Sequence, residues 1–262
     1  MSSTARLILA IFVALVVVMV GAVWWWLSSR EAPEEAVATV GEPTPVPSPS
    51  PTPGLQERLS ERLAGTTLST SDAVVRELVA GLSSRPELAT WLVNEDLVRR
   101  FVAAVNGIAA GRSPRAQFDF LRPKEGFEVD ETGGGALVIE ESSYDRYDAV
   151  AAVVASIDVE GTAALYRELE PLIDEAYAEI GPRNARFSDR LDAAFDQLLA
   201  VPVLEGPVEV EQLVLTYAWT DPTLEGMSDA QRHLLRMGPD NVATIQNVLG
   251  ELRAELADNP SD

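Results

Sequence analysis

The alternation of apolar and polar positions divides the chain into an apolar run, a proline-rich stretch, a long amphipathic region and a short tail. The first is "RLILAIFVALVVVMVGAVWWWLSSR", in which no residue from Leu7 to Leu27 is charged. At 1.5 Å per residue a helix over this run spans roughly 32 Å, about one hydrocarbon core. It reads as a transmembrane helix, with Trp24, Trp25 and Trp26 at the end where indoles prefer the headgroup layer. Val20-Gly21-Ala22 also satisfies the small-residue rule of a cleavage site, so a cleaved leader is the competing reading. The single arginine before the run, Arg6, and the three tryptophans argue against it. Either way the rest of the chain is expected outside the cytoplasm.

From 31 to 54 lies a linker, with proline at every second position from Pro43 to Pro53. Proline fixes φ and removes a donor, so this piece favours an extended polyproline form reaching about 34 Å. It is expected to act as a spacer between the anchor (residues 1–30) and a domain at 55–258, with 259–262 as a tail.

Within the domain the period is mostly that of a helix. "STSDAVVRELVAGL" has Ser71 or Asp72 as a cap and Val74, Val75, Leu78 and Val79 on one face. "NEDLVRRFVAAVNGIAAG" is expected to cap with Asn94, bury Leu97, Phe101, Val102, Val105 and Ile108, and stop at Gly111. Helical pattern recurs in "YDAVAAVVASID", in "VEGTAALYRELEPLIDEAYAEIG" with a kink or split at Pro171, and in "FSDRLDAAFDQLLAVP" behind Ser188. A period of two between Gln117 and Ile139 ("FDFLRP", "GFEVDE", "ALVIEE"), with a Gly133-Gly134-Gly135 turn, predicts a small antiparallel β element. "EVEQLVLTYAW" reads as a further strand. Ser228 and Gln231 form a capping box before a short helix that Gly238-Pro239 stops. In the last helix Val242, Ile245, Leu249, Leu252 and Leu256 make a seam of about two heptads. That is short for a coiled coil, so it is expected to pack on its own domain and leave the soluble part monomeric. The fold class is mainly α (α+β).

Composition adds two constraints. Against 20 basic residues stand 41 acidic ones, a net charge of -21. The molecule as a whole therefore repels phosphate backbones and anionic membrane surfaces, and nucleic acid is not an expected partner. Without cysteine there is no disulfide and no thiolate metal site. His233, the only histidine, has neither a cysteine nor a Gly-x-Ser-x-Gly serine to activate, and lacks paired-histidine zinc spacing. It reads as a structural or surface residue. The triple glycine is followed by no lysine and no helix start, so it is a turn rather than a phosphate loop. No catalytic residue, metal or cofactor is expected. The acids are too numerous to single out a pair, which leaves a cell-wall glycan hydrolase with paired carboxylates as one alternative and a self-association module as another.

Arginine is scarcer. Arg99 and Arg100 in "LVRRFV", Arg146 in "SYDRYD", Arg190 in "SDRL" and Arg236 in "LLRMG" sit among apolar or aromatic neighbours. The plainer reading pairs them with acids such as Asp145, Glu170 and Asp189. The sharper one makes Arg100, Arg146, Arg190 and Arg236 candidate binding residues for an anionic partner group.

The blocks "RRFV", "SYDRYD", "YRELEPLIDEAYAEIG", "FSDRL" and "TDPTLEGMSDAQRHLLRMGPDN" together resemble the bacterial domain-of-unknown-function family number three thousand and fourteen, over about Ser71 to Leu256. The resemblance implies a single N-terminal membrane helix and an envelope location, and it brings no activity or catalytic residues. A histidine at position 233 is not part of that family's pattern. The expectation is a single-pass protein of the bacterial inner membrane, N-terminus in the cytoplasm and acidic domain in the periplasm. Its role would be binding or scaffolding, with an envelope protein as a candidate partner.

Overall fold

The computed structural model describes residues 54–258. The expected anchor at Leu7–Leu27, nearly all of the linker and the tail lie outside the described residues. Among the described residues no helix is long and apolar enough to cross a membrane. They are mainly helical with a four-stranded antiparallel sheet, which is the α+β class expected.

Around a first core gather α1 (Leu55–Leu63), α2 (Asp72–Ala80), α4 (Leu97–Ala109), α7 (Val159–Ile180) and α8 (Phe187–Leu199). Val98, Val102 and Val105 of α4 meet Leu165, Leu169, Ile173 and Tyr177 of α7 and Phe187 and Ala194 of α8. The start of α4 differs from expectation. Its N-cap is Asp96, in the left-handed region at φ 57°, and the cap's side chain bonds no backbone N–H. The N–H groups of Asp96 and Leu97 instead donate to the Asp72 carboxylate, at 2.8 and 2.9 Å. The first acid of one helix thus caps another. Arg99 holds the same helix to α7 through two 2.8 Å bonds to Glu179. That pairing keeps the Glu179 carboxyl below its usual range.

Helix α7 runs through Pro171 without splitting. Proline removes one donor there, but buried side chains on both sides, Leu165 and Leu169 before it and Ile173, Ala176 and Tyr177 after it, hold both halves against the core. Helix α8 starts at Phe187 with Arg186 as its N-cap, not behind Ser188, because Phe187 is buried in the first core and draws the helix start with it.

The second core lies under the sheet. Strands β1 (Val129–Glu131), β2 (Leu137–Ile139), β3 (Glu209–Gln212) and β4 (Tyr217–Trp219) pair in that order, each antiparallel to the next. The triple glycine turns β1 into β2, with Gly135 at φ 84°. Two expectations are corrected here. "FDFLRP" forms a 3₁₀ turn at Asp119–Leu121, buried at Leu121, and not a strand. "EVEQLVLTYAW" is two strands joined by a turn, closed by the Leu213 N–H donating to the Thr216 carbonyl at 2.8 Å. The sequence offers no glycine, proline or asparagine at that turn, so the break in the run carries no local signal.

Completing the fold are short helices α3 (Pro86–Trp91), α5 (Ser142–Asp145) and α9 (Pro222–Glu225), together with α6 (Asp148–Ala155), α10 (Asp229–Leu235) and α11 (Pro239–Asp258). The capping box at Ser228 and Gln231 is present. Gly238, at φ 88°, sits so close to the Tyr144 ring that a Cβ would fall 2.5 Å from it, and α11 begins at once with Pro239. Val242, Ile245 and Val248 of α11 are buried, and Leu249 packs on the second core, so the seam faces its own domain.

Candidate functional site

The turn after α4, the α5–α6 junction and α10 bring His233 and several arginines to one side of the second core. Gly111, at φ 75°, ends α4, and its carbonyl accepts the Ala230 N–H at 2.9 Å, which fixes α10 against that turn. His233 is only 8 % exposed, so of the two readings left by the sequence it is the structural one that holds. Its Nδ1 lies 3.1 Å from Ser113 Oγ, and its ring stands edge-on to Tyr147, 6.1 Å between centroids. Its Nε2 is buried and has no hydrogen-bond partner among the described residues. Burial first, then the positive charges of Arg115 and Arg236, push its pKa down to about 4. A catalytic serine–histidine pair needs an acid on the second ring nitrogen and a base that protonates near neutrality. This pair has neither.

Arg146, Arg236 and Arg115 all act on the buried Tyr147, whose hydroxyl burial pushes up in pKa and those charges pull back. The guanidinium of Arg146 lies 5.5 Å from the Phe127 ring centre and 5.7 Å from that of Tyr147. It donates to the carbonyls of Ser143 at 2.7 Å and Glu125 at 3.3 Å. Arg236 is half-buried with its guanidinium 4.4 Å from the Trp219 ring centre, and burial lowers its pKa. Among the described residues none of these three arginines has a carboxylate within ion-pair distance. Glu225 and Asp229 are two acids whose charge reaches the group. Both are taken by Arg232, at 2.6 and 2.5 Å, and Glu225 also accepts the Trp219 N–H at 3.1 Å.

Of the residues picked out by sequence, the fold brings together Arg146 and Arg236 and leaves the others elsewhere. Arg100 donates to the carbonyls of Glu95 at 2.9 Å and Gln117 at 3.1 Å. Arg190 bonds the Asn106 side chain at 3.0 Å. The expectation that these arginines pair with acids such as Asp145, Glu170 and Asp189 holds in kind for Arg99, which pairs with Glu179 and Asp96, and is corrected for Arg100, Arg146, Arg190 and Arg236. Carbonyls, an amide and aromatic rings take their place, and Asp189 pairs with Arg186. Arg115 and Ser113 escaped the sequence reading, since Ser113 and His233 are separated by 120 positions.

A surface hollow of about 360 Å³ lies beside β3, lined by Glu205, Glu209, Asp221 and Leu224 among others. Asp221 is committed to capping α9, accepting the Thr223 N–H at 2.7 Å. Among the described residues no group of three or more His, Cys, Asp and Glu side chains is placed to hold a metal ion.

The fold is thus an α+β domain with a cationic, aromatic face on an acidic body. Residues 97–253 match the family described as protein of unknown function (DUF3014), and the chain belongs to that family. No curated protein and no solved structure matches it.

Proposed function

We propose that this chain is a membrane-anchored protein of the bacterial envelope whose α+β domain works by binding an anionic partner group. The location is supported by the uncharged run Leu7–Leu27 with its terminal tryptophans and by the proline-rich spacer after it. The observation that carries the binding reading is that Arg146 and Arg236 lie on aromatic rings, with the charge of Arg115 acting on the same Tyr147, and that none of the three has a carboxylate partner among the described residues. Guanidinium groups held against ring faces are oriented and poorly hydrated, which suits them to carboxylate or phosphate.

Crosslinking in cells with the full chain tests this, comparing the wild type with Arg236→Gln and identifying what is retained by mass spectrometry. The Arg236 side chain makes no hydrogen bond or ion pair among the described residues, so its replacement is expected to move the melting temperature by less than about 4 °C while removing the captured partners. Identical partner lists from a stable variant would overturn the reading.

A further inference from the structure

The hairpin that carries Trp219 ends in an apolar tip. Leu213, Val214 and Leu215 follow one another at the β3–β4 turn; Val214 is 96 % and Leu215 93 % exposed. Val214 and Leu215 are so nearly fully exposed that the tip is open on all sides. A groove on another protein covers part of such a tip, whereas lipid surrounds it.

No residue from Gln212 to Thr220 is charged, and Glu211 is the first acid met on β3. At about 3.3 Å per residue, Leu213 can descend about 7 Å past the level of Glu211, within the depth of about 5–10 Å at which interfacial elements bury their apolar side chains. Behind the tip, Tyr217 packs on Phe127 at 5.2 Å between ring centres, Arg146 lies against that same Phe127, and Arg236 lies over Trp219. Apolar tip, aromatic rings and arginines thus follow one another along the hairpin in the order of acyl chains, boundary and headgroups.

We propose that the Leu213–Leu215 tip inserts into the surface of a membrane containing anionic lipid, with Arg146 and Arg236 against the headgroup phosphates. This rests on the binding reading above and names the partner of that face. The net charge of -21 opposes it at long range. Charges more than about 8 Å from the contact are largely screened at physiological salt, which leaves against the arginines Glu209 and Glu211 on β3, Glu125 beside Arg146, and Glu225 and Asp229, the last two already paired with Arg232. A tether through Leu7–Leu27 would keep a bilayer at high effective concentration around the tip.

The chain has no cysteine, so Val214→Cys gives a single labelling site in the full-length protein. Labelled with a polarity-sensitive dye and reconstituted into phosphatidylcholine vesicles with phosphatidylglycerol, it should shift its emission to the blue and be quenched by nitroxides carried high on the lipid acyl chains. The same dye on Glu57→Cys, an exposed position on α1, should behave as in water. Arg236→Gln should reduce insertion by about fivefold, the factor for one arginine at an anionic surface, and omitting phosphatidylglycerol should reduce it further, by about 25-fold for the two arginines together. A water-like spectrum at position 214 overturns the inference. So does a blue shift without lipid quenching, which would place a protein or a second copy on the tip, and so does quenching indifferent to phosphatidylglycerol. If the tip stays in water while Arg236→Gln still loses its crosslinked partners, this inference falls and the binding reading stands. If the partners are unchanged as well, both fall.

Discussion

His233 and Arg236 are three positions apart on one helical turn, yet burial acts on them in opposite functional directions. It strips His233 of its charge and leaves Arg236 with a charge that no acid takes up. The histidine's pKa, about 4 in the fold against an ordinary value near 6.5, makes a signed prediction. Between these two values the unfolded chain binds a proton that the folded chain refuses. The contribution of His233 is therefore fully present above about pH 6.5 and is lost as pH falls towards 4, by up to about 3 kcal/mol. Denaturation of the wild type and His233→Gln at a series of pH values isolates this term from the many titrating carboxylates. The stability gap between them should favour the wild type most near neutral pH, narrow on acidification and reverse sign as pH nears about 4, because the loss exceeds the neutral-pH gap. A gap constant with pH would mean that the ring is open to water. At neutral pH the replacement should cost about 1 to 2 kcal/mol, because it disturbs the Ser113 bond and the contact with Tyr147.

Among the elements, α4 shows how a helix can depend on a residue far from it in sequence. Its period and its stop at Gly111 are local properties, but the donors at its start are satisfied by Asp72, 24 and 25 positions away. Asp72→Ala should lower stability by about 1 to 2 kcal/mol in chemical denaturation, the range for a lost helix cap, while Asn94→Ala should change it by less than about 0.5 kcal/mol. The reverse order would restore Asn94 as the cap. The β3–β4 hairpin is a second case. Its outer strand is an edge, and such edges invite pairing with other chains. Here the Glu225 carboxylate takes the Trp219 N–H and so blunts it.

For the whole molecule the question is where the acidic domain sits. A periplasm-active reporter fused after Gly54 should be active and a cytoplasm-active reporter at the same place silent; the opposite pattern would remove the envelope location. Mass measurement of the membrane-extracted protein separates the anchor from the cleaved leader: retention of Met1 or Ser2 fits the anchor, and a start at Val23 fits the leader.

The sequence by itself determined what depends on a few neighbouring residues. The 3.6 period of α4, α6, α7 and α8, the capping box at Ser228, the glycine turn between β1 and β2 and the stop at Gly238 all follow from side-chain spacing and backbone freedom within one or two turns. Family membership was legible for the same reason, since it rests on short blocks read in order. Only the tertiary structure decided which distant groups meet. Nothing near Arg146 or Arg236 in the chain announces that Phe127 and Trp219 lie beneath them, or that Arg232 takes both nearby acids. Local pattern paired these arginines with acids, but the packing of the second core set them on aromatic rings. Pro171 makes the same point in reverse: local chemistry argued for a kink or split, and the helix runs on unsplit with buried side chains on both sides of the proline held by partners on other elements.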